Sequence, residues 1–319
     1  MLPMNELSNR QQDALNRVEA NAALQPLFFR KLSGLQWFDE LEKRGFFSPD
    51  RNPQPTEPDQ EGYFSIPGWP VLDYLKKTAP ELQLPGNEEF VDKFLIVIRS
   101  VSYKAIEDGT TNHRTWWFFA QILQFIPVEK LSLEDISIIR YWLADRFDRM
   151  LVWTEIGETL LPRLLADESD HAKVLAVAIL SELTLLVWQP KRWGSEDEQE
   201  PGFNVDDYHA KEVFTVHARS AGEKLEADGV DVFKGRLVEV FEGTNMGQYS
   251  TIWRPAIEDH DQNRGGDETP SILISAFRDS LVGYVDRRAA AASEYIEDLI
   301  SSDVVVFQRV AIFVVRSFS

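Results

Sequence analysis

The chain contains no cysteine. That single absence removes disulfides, thiolate zinc sites, iron–sulfur clusters and cysteine nucleophiles together. It also accords with a reducing, cytoplasmic setting. Histidine is scarce, with five in 319 residues, which leaves few imidazoles for catalysis or metal binding. A leader is missing as well: the opening run MLPMNELSNRQQ has no basic segment followed by an apolar one, so it does not read as a signal peptide. Long apolar runs are absent too. The most apolar stretch, Val174 to Trp188, carries Ser181, Glu182 and Thr184 and falls short of the ~20 residues that span a bilayer, so it reads as a buried helix and no membrane association is expected. Positive charge is in deficit, with 33 lysines and arginines against 52 acids and a net charge of -19. Such a surface repels phosphate backbones, so nucleic acid is not expected as a bulk ligand.

What remains is rich in apolar and aromatic residues, 44% and 12% of the chain, enough to offset the entropy of ordering it. Their spacing is helical. Phe90, Val91, Phe94, Leu95 and Ile98 fall on one stripe, and so do Phe118, Phe119, Ile122, Leu123 and Ile126. Ser132 with Asp135 three residues later predicts a capped helix start ahead of Ile136, Ile139 and Leu143. No alternating run is long enough to argue for a sheet, and the expected fold class is all-α, with at most a small β-hairpin near residues 45–66.

Two segments resemble each other. In LLPRLLADESDHAKVLAVAILSEL, from Leu160, and YIEDLISSDVVVFQRVAIFVVRSF, from Tyr295, the residues Leu160, Leu161, Leu164 and Leu165 match Tyr295, Ile296, Leu299 and Ile300. Then Leu175, Ala176, Ile179, Leu180 and Leu183 match Val310, Ala311, Val314, Val315 and Phe318. Each reads as a helix, an acidic turn with Asp170 or Asp303, a basic residue (Lys173 or Arg309) and a second helix. This pattern resembles HEAT-like repeats, α-solenoids of antiparallel helix pairs, over roughly Phe90 to Ser319. The resemblance implies an irregular helical-repeat array, similar in style to helical regions of large bacterial multidomain proteins, defence-type systems among them.

The expected organisation is an N-terminal helical unit over 1–85 and a helical array over 86–319. A proline-rich loop at 48–62 interrupts the first unit; Gly45 stops the preceding helix, and Phe46-Phe47 and Tyr63-Phe64 are expected to pin the loop's base by packing together or on the flanking helices. Polar loops at 189–207 and 254–271 interrupt the second. The last helix ends on an apolar stripe, Val310, Val314, Val315 and Phe318, which predicts either a chain that continues past Ser319 as a segment of a longer protein or a helix that packs back onto an earlier one.

No phosphate-binding loop, nucleophile elbow or dinucleotide fingerprint is present. No catalytic residue, cofactor-binding residue or resident metal is therefore assigned, and no cofactor is expected. The candidate metal ligands are His209, His260, Asp259 and Asp261, on the two polar loops or beside them. His171 reads as part of an acidic helix cap, His113 as a surface or cap residue, and His217 lies two turns from His209. Trp116-Trp117-Phe118-Phe119 reads as core. The functional expectation is a protein-binding scaffold or adaptor whose partner is another protein or the remainder of a parent chain. Kept beside it are a sensor fused to an effector and a metal-dependent hydrolase with its site between the two polar loops.

Overall fold

Helices form wherever apolar residues recur at helical spacing, and the computed structural model describes residues 7–56, 64–145, 147–191, 199–244, 246–263 and 268–318. The fold is mostly all-α. The chain divides into two compact units, residues 1–155 and 156–319. Among the described residues no helix is long and apolar enough to cross a membrane.

The first unit holds α1 (Asn9–Ala20), α2 (Gln25–Lys31), α3 (Phe38–Lys43), α4 (Val71–Thr78), α5 (Glu88–Asp108), α6 (His113–Leu123), α7 (Leu133–Leu143) and α8 (Arg149–Glu155). Its core is aromatic. Phe38 lies 4.7 Å from Phe47 and 5.1 Å from Phe94, and Trp116 stacks on Trp142 at 5.9 Å with planes 7° apart. The indole of Trp142 donates to the Ser102 hydroxyl at 3.1 Å, so its one polar atom is satisfied inside the core. Trp116 and Phe119 are fully buried, while Trp117 and Phe118 are half-buried with the Lys76 ammonium over their rings. Ser132 and Asp135 form the expected capping box, and Asp135 also takes two 2.8 Å bonds from Arg99, tying the start of α7 to α5.

The expected division after residue 85 is crossed by the core itself, since α5 carries Phe94 against Phe38 and Lys93 against Asp39 at 2.8 Å. Gly45 takes φ 68° past the end of α3, as the sequence predicts. The expected aromatic clamp forms differently. Phe46 and Phe47 are buried against Phe29, Phe38 and Tyr74, but Phe64 remains 40% exposed and meets Phe147 at 5.3 Å; Tyr63 lies outside the described residues. In place of a hairpin near 45–66, the described residues show one isolated bridge, Thr56 to Ser65.

The second unit runs from a π-helical turn, Ile156–Leu160, through α9 (Leu161–Ala166), α10 (Asp170–Leu183), β1 (Leu186–Pro190), β2 (Gln199–Phe203), α11 (Asp207–Leu225), α12 (Ala227–Gly243), α13 (Ser250–Trp253), α14 (Thr269–Ser301) and α15 (Val305–Ser317). Both segments with the shared pattern are helical hairpins, α9 with α10 and the end of α14 with α15. In the first, every matched apolar residue is buried; in the second, Ile300, Val315 and Phe318 stay exposed. Phe307 of α15 packs on Phe277 of α14 at 5.4 Å and on Phe241 of α12 at 6.1 Å, so the last helix does pack back onto earlier ones.

The stretch expected as an irregular loop over 189–207 instead contributes to a two-stranded antiparallel sheet, with Leu186 opposite Phe203 and Trp188 opposite Pro201. Leu186 and Phe203 are buried, and Phe203 reaches Phe214 of α11 at 5.4 Å. Two anchors at the open end of the hairpin suffice to dock it, and the acid-rich residues between them hid the pattern. Helix α14 begins at Thr269, inside the loop expected over 254–271.

Helices α11 and α14 approach backbone to backbone. A methyl group on Gly222 would overlap the Ser280 carbonyl, and one on Gly283 would overlap the Arg219 carbonyl. Glycine is required there by contact distance, because neither carbonyl is the movable end of a side chain. Replacing Gly283 by alanine is therefore expected to lower the unfolding free energy by about 3 kcal/mol. Urea denaturation followed by circular dichroism checks this, and Gly235→Ala, where a methyl group meets open space, is the control expected to show no loss.

Candidate binding cleft

The cleft belongs to the first unit and starts from an asparagine. Asn112 precedes α6, and its Oδ1 accepts from the backbone N–H groups of Arg114 and Thr115, the usual use of asparagine at a helix start. Its Nδ2 donates to the carbonyls of Pro53 at 2.7 Å and Pro67 at 3.0 Å. The side chain is fully buried, and every one of its polar atoms has work. Thr115 adds a bond of 2.7 Å to the Asn52 side chain, and Thr56 pairs with Ser65. Both limbs of the proline-rich stretch are thus held against the start of α6. Prolines suit such a wall, since each lacks the N–H that would otherwise need a partner and each holds its own φ.

The opposite wall is the turn between α5 and α6 and the end of α7. Gly109, at φ 63°, ends α5, and Thr110 donates back to the Ala105 carbonyl at 2.9 Å. The Tyr141 hydroxyl donates to the Thr110 carbonyl at 2.6 Å and lies 3.1 Å from that of Ala105. Burial raises the Tyr141 pKa, keeping it a donor. Thr111 donates to one oxygen of Asp145 in a short hydrogen bond and accepts from the Trp116 indole at 3.0 Å. The other Asp145 oxygen accepts from the Phe147 N–H at 2.8 Å.

Between these walls lies a cavity of about 460 Å³, lined among others by Gln54, Pro55, Thr110, Thr111, Tyr141 and Asp145. A neighbouring cavity of about 200 Å³ shares Gln54 and Thr110 and adds Lys104, Asp50 and Asp108. Lys104 is already engaged by Asp108 at 2.9 Å. Asp145, only 3% exposed, has no lysine or arginine within ion-pair distance among the described residues. The first unit therefore holds a cavity lined by polar side chains, a proline and one buried acid.

His113, read as a surface or cap residue, sits at the first position of α6 and is buried, while Asn112 supplies the cap. Its Nδ1 has no hydrogen-bond partner among the described residues, and burial lowers its pKa although Asp145 and Asp148 pull the other way. The aromatic rings of His113 and Phe147 lie 6.4 Å apart. None of these cleft residues was singled out for chemistry in the sequence. Thr110-Thr111-Asn112 is legible there as a turn and cap; its contact with Asp145, 34 positions away, is not.

The sequence candidates lie in the second unit. His209 pairs through Nδ1 with Asp206 at 2.7 Å, at the start of α11. His260 accepts from the Gln262 N–H at 3.1 Å. Asp259 is held by Arg278 at 3.1 Å through both oxygens, and these bonds keep its carboxyl below the ordinary range. Asp261 adjoins them in sequence, but among the described residues no three histidine, aspartate or glutamate side chains are placed to hold a metal ion. The two polar segments do meet, where Asp207 accepts from the N–H of Thr269 at 3.1 Å and from its hydroxyl at 2.5 Å. That contact caps α14 and ties it to α11.

Replacing Asn112 by alanine removes a helix cap and two tethers and is expected to destabilise the first unit by about 2 kcal/mol. Amide hydrogen exchange supplies the local check: protection at Thr56 and Ser65 should fall in this variant, while protection in α11 and α14 should not.

Set against protein-family models, curated proteins and solved structures, the chain matches none of them.

Proposed function

We propose that the chain is a protein-binding helical module of the HEAT-like kind, an adaptor or scaffold, whose contact site is the groove of its first unit. The observation that carries this reading is the construction of the groove. Its proline-bearing wall is locked from beneath by the buried Asn112, and its mouth shows backbone and side-chain hydrogen-bonding groups to solvent. A rigid wall does not have to be ordered when a partner binds, and that saves part of the entropy of association. Extended segments are recognised by such polar, preformed grooves through main-chain bonds and alternate side chains.

The two helical hairpins of the second unit support the repeat reading, since α9–α10 buries the same matched positions that the resemblance picks out. The partner is another protein or a further part of a parent chain, in a cytoplasmic setting, and a sensor or adaptor role within a bacterial defence-type system fits the same architecture. The metal-dependent hydrolase reading is less favoured, since two of its candidate ligands have other partners: Asp259 is held by Arg278 and His209 by Asp206.

A photo-reactive amino acid at Gln54 is expected to cross-link one partner species saturably and with one-to-one stoichiometry in cells, whereas the same probe at exposed Val216 in the second unit is not. Equal labelling at both positions would count against the groove. Elemental analysis of the purified protein addresses the enzyme alternative, and the expected result is less than one tenth of an equivalent of any transition metal; a full equivalent surviving dialysis would overturn the scaffold reading.

A further inference from the structure

A carboxylate in a protein interior ordinarily faces a cation or several hydrogen-bond donors, because removal from water otherwise costs several kcal/mol. Asp145 has one donor on each oxygen, Thr111 and the Phe147 N–H, and no cation within ion-pair distance among the described residues. It is 97% buried by the complement of its 3% exposure, yet it lines the cavity of about 460 Å³. The carboxylate is thus buried, holds one neutral donor on each oxygen, and stands at the cavity wall.

We propose that this cavity receives the cationic head of a basic side chain, an arginine or lysine carried by an extended segment of the partner, with Asp145 as its counter-charge. The inference rests on the protein-binding reading and adds the chemistry of what binds. The other groups at the wall agree with it. The Gln54 side-chain oxygen, the Thr110 and Thr111 hydroxyls and the Tyr141 hydroxyl are acceptors or can turn to accept, and a guanidinium presents five donors in a flat fork. Lys104, the one cation lining the adjoining cavity among the described residues, is engaged by Asp108, while Asp50 adds a further negative charge. Space also agrees, since a cavity of this size exceeds what a single water or metal ion needs and accommodates a guanidinium with its methylene stem.

The test uses the full chain and defined probes: a fluorescein-labelled peptide of alternating glycine and arginine, the same peptide with citrulline in place of arginine, and free agmatine. Citrulline keeps the shape and removes the charge. Fluorescence anisotropy should show the arginine peptide binding at least about tenfold tighter than its citrulline counterpart, a difference that Asp145→Asn should abolish and that added salt should reduce. Equal binding of the two peptides overturns the inference, whether or not the Asp145→Asn variant folds. So does an Asp145→Asn variant with the wild-type unfolding midpoint and an unchanged preference for arginine. Agmatine separates the two levels: agmatine that binds and is lost with Asp145→Asn, alongside no cross-linked protein at Gln54, keeps the cation site and sinks the protein-binding reading. A cross-linked partner at Gln54 with no arginine preference does the reverse.

Discussion

One buried amide holds the candidate site together. Asn112 occupies the junction of a helix start and two limbs of an irregular, proline-bearing segment, and it satisfies all three at once. Two part-buried carbonyls of that segment, those of Pro53 and Pro67, take their donor from Asn112, and a hydrogen bond of this kind contributes about 1 kcal/mol. The groove follows from that satisfaction. With Pro53 and Pro67 fixed, Gln54 and Pro55 are held opposite Thr110 and Thr111, and the space between them has a defined width.

A different constraint governs the second unit. Helices α11 and α14 touch through Gly222 and Gly283, so close that a single methyl group on either would strike backbone. This contact sets the spacing against which α12 and α15 pack, with Phe233 on Phe214 and Phe307 on Phe277. The same helices are tied at one end by Asp207 and Thr269 and near the kink of α14 by Glu226 and Arg288. Glu226 holds a positive φ of 58°, which non-glycine residues adopt only where their surroundings hold them. Asp207 and Thr269, from the two polar segments of this unit, thus form a structural tie between α11 and α14.

One buried charge in each unit is handled differently. In the second, Arg278 is surrounded by Asp259, Asp279 and the Ile257 carbonyl, a compensated cation. In the first, Asp145 has a donor on each oxygen and, among the described residues, no cation within ion-pair distance. A compensated group belongs to the architecture, whereas an uncompensated one at a cavity wall is a place where an outside charge gains most, because the desolvation has already been met by folding. That contrast is the reason to look for binding in the groove and for stability at the arginine cluster.

The sequence by itself determined the fold class and most helix locations, because apolar residues at helical spacing have one efficient way to leave water: Val91, Phe94, Leu95 and Ile98 are all buried, as their stripe requires. It also determined local starts and stops, the Ser132–Asp135 box and the turn at Gly45, since those signals act within a few residues. It missed the sheet pairing Leu186 with Phe203, whose anchors are separated by an acid-rich stretch; of the aromatic clamp it placed Phe46 and Phe47 on the flanking helices but did not foresee Phe64 against Phe147. Only the tertiary structure decided the site. Asp145 reads as one acid among 52 until folding buries it against Thr111 at a cavity wall, and Asn112 reads as an ordinary helix cap until Pro53 and Pro67 arrive at its amide. Periodicity is a property of neighbours along the chain, whereas desolvation and charge compensation depend on which distant segments meet.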